Sequence, residues 1–146
     1  MCLIVKEPQP AYDKVVYKFM LQDPEGNLWS PKFGGKMELD SERFFHSDAR
    51  AERKYKLNDK VEHGLHVLED LDSVTKVKTW FDKTDLATTF AKRFNRPEHS
   101  KLVWVKFSAY KEDLIATGEN AAIRDFIGEG ITCGAYLKLR FIGLLH

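Results

Sequence analysis

"EHGLHVLEDLDS", residues 62–73, changes character halfway along. Its first part, "GLHVL" (64–68), is a short apolar run of strand length, and its second part, "EDLDS", supplies an Asp or Ser N-cap with carboxylates at the positive end of a helix. Beyond it Leu71, Val74, Val77 and Phe81 recur at helical spacing, and Leu86, Ala87, Phe90, Ala91 and Phe94 form a second apolar stripe after the interruption "DKTD" (82–85). This pattern predicts two short helices, or one broken one, over about 70–95. Pro97 disfavours helix for the residue before it and closes the segment.

The flanks read as strands. "VVYKFML" (15–21) has the period of two of a strand with both faces partly covered, and "DPEGN" (23–27) turns it back into "LWS" (28–30). Pro31 ends that strand, and "FGG" (33–35) permits another reversal before "KMEL" (36–39). Residues 40–62 read as a charged, solvated connection anchored by Phe44, Phe45, Tyr55 and Leu57. "KLVWVKFSAY" (101–110) is the clearest central strand, with Val103, Val105, Phe107 and Ala109 on one face. "DLIATGE" (113–119) is a weaker strand, and "AYLKLRFIGLL" (135–145) alternates as a half-buried closing strand should. Five or six strands and one helical segment predict an α+β fold with a mostly antiparallel, curved or split sheet, in a single domain spanning 1–146.

Composition narrows the function classes. The 146 residues carry 23 basic and 22 acidic side chains, a formal charge of +1, too small for the broad positive field of nonspecific nucleic-acid binding. Two cysteines, Cys2 and Cys133, build no disulfide framework and point to a reducing compartment. "CLIV" is followed at once by Lys6 and Glu7, unlike a signal peptide, and no run approaches the roughly 20 apolar residues of a membrane span. A cytoplasmic protein with no membrane association is expected.

The candidate sites follow from residue chemistry. His63 and His66 could share a metal only on a helix, because on a strand residues three apart face opposite sides. No third ligand stands at an obvious spacing, so no metal is expected. His66 can instead line a ligand pocket, or can be a strand histidine satisfied by backbone. An exposed Cys2 would carry an amine-assisted nucleophile, although Leu3, Ile4 and Val5 beside it resemble packing. The connection "GENAAIRDFIGEGITCG" (118–134) holds Glu119, Arg124 and Glu129, and its glycines make no phosphate-binding fingerprint. Glu119 or Glu129 would meet Tyr17 and Lys18 of the first long strand if the sheet curls. Trp29, Phe33 and Trp80 offer flat surfaces for stacking a base.

The order "MCL" (1–3), "VVYKFML" (15–21), "WSPKFGGKMEL" (29–39), "GLHVLEDLDSV" (64–74), "VWVKF" (103–107), "ATGE" (116–119) and a closing strand resembles a family of small, uncharacterised proteins of bacteriophages and mobile elements. Here Leu65 stands where that family has an aromatic residue, and "SAYKED" (108–113) replaces its usual turn. The resemblance implies a small non-catalytic accessory protein, cytoplasmic in the host cell, that binds a host protein or a nucleotide-like ligand and counteracts host defence. A Tyr-bearing first strand, Gly-x-His before a helix and a late carboxylate are also similar to the mono-ADP-ribosyltransferase scaffold. That likeness implies an enzyme using a nicotinamide dinucleotide, NAD, through Tyr17, His66 and Glu119 or Glu129; otherwise no cofactor is expected. A structural subunit that closes a homo-oligomer is the third reading.

Overall fold

The computed structural model describes residues 3–6, 11–30, 36–47, 55–84, 100–120 and 131–145. In chain order the elements are β1 (Leu3–Val5), β2 (Lys14–Gln22), β3 (Leu28–Trp29), β4 (Phe44–His46), β5 (Lys60–Val61), β6 (Leu65–Leu68), α1 (Leu71–Thr84), β7 (Lys101–Ala109), β8 (Leu114–Asn120), β9 (Thr132–Tyr136) and β10 (Lys138–Leu144), with a 3-10 turn at Lys111–Asp113 before β8. The strands form one unclosed, mostly antiparallel sheet in the order β4-β10-β7-β2-β6-β9-β8-β1-β5, with β3 paired to β2. One helix packs on it, which makes the fold α+β.

The strongest ladder joins β2 to β7 over nine register pairs, from Lys14↔Ala109 to Gln22↔Lys101. Alternation then assigns each side chain a face. Val16 and Met20 of β2 join Val105 and Phe107 of β7, Leu65 and Val67 of β6, Tyr136 of β9 and Leu139 of β10 in an inner core. Tyr17, Leu68, Trp104, Ala116, Cys133 and Ala135 point the other way, where α1 covers them with Val74, Val77 and Phe81. Phe19 meets Phe81 edge-on at 5.0 Å and Trp104 at 5.6 Å, geometries that aromatic pairs favour.

Two features place residues of distant sequence together. Strands β9 and β10 are separated only by Leu137, so one bent run pairs with β6 and β8 in one arm of the sheet and with β7 and β4 in the other. Between β2 and β6, by contrast, the ladder is a single register pair, Tyr17↔Leu68. Farther along the same edge of β2 the next partner is β3, at Leu21↔Trp29 and Gln22↔Leu28. Residues 18–20 therefore border a seam between the two arms.

The helical expectation needs correction. The helix is continuous for 14 residues to Thr84, through the start of the supposed interruption at 82–85, so two short helices are not borne out; the second stripe at 86–94 lies outside the described residues. The helix start was correctly placed: Asp70 is the cap, its Oδ1 accepting the Ser73 N–H at 2.7 Å. The strand count was low. Inside the supposed connection 40–62, β4 and β5 add to the two ends of the sheet, while "KMEL" contributes only the isolated bridge Trp29↔Lys36.

Candidate functional site

The seam gathers three of the seven expected site residues. Tyr17 forms its single register pair and is buried on the helix side. His66 lies on β6 in register with Ala135, hence on that same side. Its Nε2 is 3.1 Å from the His63 carbonyl; because a carbonyl only accepts, Nε2 carries the proton of this contact. The two histidines thus meet through a ring-to-backbone contact. Among the described residues no group of three or more His, Cys, Asp or Glu is arranged to hold a metal. Lys18 points to the inner side, and its Nζ donates to the His66 carbonyl at 3.0 Å across the seam. Where backbone pairing stops, a side chain takes over.

Glu119 does not join them. The pairs His66↔Ala135 and Ala135↔Ala116 carry the helix-facing side across to β8, and Glu119, three residues after Ala116, points to the opposite face. It stands between Ile4 of β1 and Thr132 of β9. Trp29 is half-buried in the β2–β3 hairpin, where its Nε1 donates to Asp23 at 3.0 Å. Asp23 also accepts the Glu25 and Asn27 backbone N–H groups, and these bonds hold its carboxyl below the usual carboxylate range. Trp29 therefore serves the turn rather than offering an exposed stacking face. Trp80 is half-buried against Phe81, with ring centroids 5.2 Å apart. Arg124 and Glu129, with Cys2 and Phe33, lie outside the described residues.

A second cluster was missed by the sequence reading. The Lys14 ammonium lies 2.5 Å from Glu69 Oε2, and the Tyr136 hydroxyl donates to Glu69 Oε1 at 3.2 Å. These groups come from β2, from the residue after β6 and from β9. Alternation along Leu65, Val67 and Glu69 turns the carboxylate inward, although in the sequence it reads as the first acid of a helix start. Gly134 makes the room: a Cβ there would collide with Glu69 Oε1 and crowd the Tyr136 ring. Burial and the Glu69 charge both push the Tyr136 hydroxyl well above the ordinary tyrosine range. Tyr136 is therefore a fixed hydrogen-bond donor at neutral pH.

Cys133 is buried on the helix-facing side, and burial pushes its thiol up to about 12. Iodoacetamide should leave it unmodified in the native protein and label it once urea unfolds the chain, as read by peptide mass mapping. With the thiol shifted from its ordinary value of 9.0, native thiolate is scarcer by roughly three orders of magnitude at neutral pH. Native-state labelling at the unfolded rate would show Cys133 to be an open, reactive thiol.

No protein family, no curated protein and no solved structure matches this chain. Among the described residues no helix is long and apolar enough to cross a membrane.

Proposed function

We propose that the protein is a small non-catalytic accessory protein of phage type that binds a nucleotide-like ligand at the β2–β6 seam, acting in the host cytoplasm to blunt a host defence. The observation that carries the ligand site is the seam itself. One register pair, Tyr17↔Leu68, joins the two arms there, and Lys18 reaches over to the His66 carbonyl. A cation on the inner side and a phenol and an imidazole with its Nε2–H on the helix side thus flank one interruption of the sheet, a few placed polar groups on an apolar frame of the kind ligand sites use. The phage-type role and the host compartment rest on the sequence resemblance.

Binding is favoured over group transfer by the strand register. A dinucleotide transferase of the expected kind needs His66 and a late carboxylate, Glu119 or Glu129, at one substrate; Glu119 projects from the face opposite His66, and Glu129 lies outside the described residues.

Isothermal titration against a panel of mononucleotides, cyclic nucleotides and NAD tests the reading, beside a pull-down from bacterial lysate for a host-protein partner. Saturable binding of one nucleotide is expected at micromolar protein, weakened about tenfold by His66→Ala, the loss of roughly 1.4 kcal/mol. An empty panel sinks the nucleotide reading; with a specific host protein captured, the binding reading moves to that partner. Release of nicotinamide from NAD, seen by mass spectrometry, would replace it by the transferase reading.

A further inference from the structure

We propose that the Lys18 ammonium is an anion-holding site that takes a phosphoryl oxygen of the ligand at the seam; the nucleotide identity of that ligand rests on the reading above, whereas the anion site rests on the surroundings of Lys18.

Lys18 stands on β2 between the buried Val16 and Met20 sides of the inner core, in register with Val105 of β7. Across the seam β6 presents Leu65 and Val67 to the same core. In this apolar frame the ammonium makes one hydrogen bond, to the His66 carbonyl, leaving two N–H groups without an acceptor among the described residues. No carboxylate among the described residues forms an ion pair with it. The charged and titratable groups of the same face include Lys14, Glu69 and Tyr136, which satisfy one another, Lys101 at the far end of β7, and Glu119 on β8, separated from Lys18 by β6 and β9. On the opposite face are the His66 ring and, on β7, Lys106, in register with Tyr17.

The contrast between two lysines of one strand face is the point. Lys14 has its counter-charge built in; Lys18 has a neutral carbonyl. A desolvated cation with unused donors is stabilised by an incoming anion that brings both the opposite charge and acceptor oxygens. Burial alone lowers the Lys18 ammonium to about 8, with no neighbouring charge opposing it. An anion at Nζ favours the charged form, so binding raises that value. The complex then holds more protons than the free protein above pH 8, and affinity falls as pH rises through that range, by up to about tenfold per pH unit.

The test uses the full chain with 13C-labelled lysine, following the Lys18 Cε resonance through pH 7–11 alone, with inorganic pyrophosphate and with acetate. Lys18 should titrate near 8 alone and at least about one pH unit higher with pyrophosphate, a tenfold gain in protonation. Lys18→Met should bind pyrophosphate at least about tenfold more weakly while unfolding at a higher temperature, since it removes a desolvated charge and keeps the apolar stem. A Lys18 titration unmoved by saturating pyrophosphate, or undiminished pyrophosphate binding by the folded Lys18→Met protein, overturns the phosphoryl site; a shift produced by acetate alone reassigns it to carboxylates and overturns it equally. Nucleotide binding that survives Lys18→Met overturns this inference and leaves the ligand reading standing. Pyrophosphate held at Lys18 with no nucleotide bound does the reverse.

Discussion

Glu69→Ala should lower the free energy of unfolding by about 3–5 kcal/mol, the cost of breaking a buried ion pair from one side. The Glu69 side chain is 5% exposed and that of Lys14 18%, so the surviving ammonium would keep little water to replace its partner. The Tyr136 hydroxyl, buried within β9, would lose its acceptor as well. Urea unfolding of the four proteins in a Lys14→Met, Glu69→Leu double-mutant cycle separates the pair from its surroundings. Each single variant should be strongly destabilised and the double variant much less so, because two apolar groups of similar volume remove both charges together. A Glu69→Ala loss below about 1 kcal/mol, the range of exposed pairs, would show that the cluster is solvated.

Gly118→Ala is the second large effect, expected at about 3 kcal/mol or more, at or above the upper end of usual overpacking costs. Gly118 sits on β8 opposite Val5, and a Cβ there would land on the carbonyl of Ile4. A carbonyl held in a ladder cannot rotate away as a side-chain tip can. Strand β1 must therefore lift from β8, and β5 goes with it, since β1 is its partner in the sheet order. The fully buried Leu3 and Val61 would then lose their packing. Hydrogen exchange should show the lost protection concentrated in Leu3–Val5 and Lys60–Val61, with Val16–Met20 little changed. Gly26→Ala is the control: its φ of +90° brings strain, but nothing lies within 4 Å of an added Cβ. Protection lost uniformly through the sheet would refute the local mechanism.

What the sequence disclosed depended on the length over which a pattern repeats. The nine residues of β7 alternate along a strand paired on both sides, so "KLVWVKFSAY" could be read directly. Asp70 announced the helix start because capping is local chemistry. The edge strands β4 and β5, of three and two residues, are too short to show a period and exist only because β10 and β1 offer them an edge. At the site, Tyr17, Lys18 and His66 were recognisable as polar residues set in apolar strands. Glu69 and Lys14 carried the same signal, since both continue the inward parity of their neighbours, yet Glu69 was absorbed into the acidic helix start and Lys14 into the strand's beginning. Whether Glu119 faces His66 depended on register between β6, β9 and β8, which no single strand encodes.

The run from Thr132 to Leu144 passes from one wall of the sheet to the other through Leu137 alone. It works as the spine of a book: the two leaves are joined covalently there, and at the far margin by the Tyr17↔Leu68 pair and the Lys18 clasp, so a slide of one leaf past the other would have to break that pair and that clasp together. Among the described residues the margin facing that spine is therefore the part of the sheet held by the fewest backbone bonds.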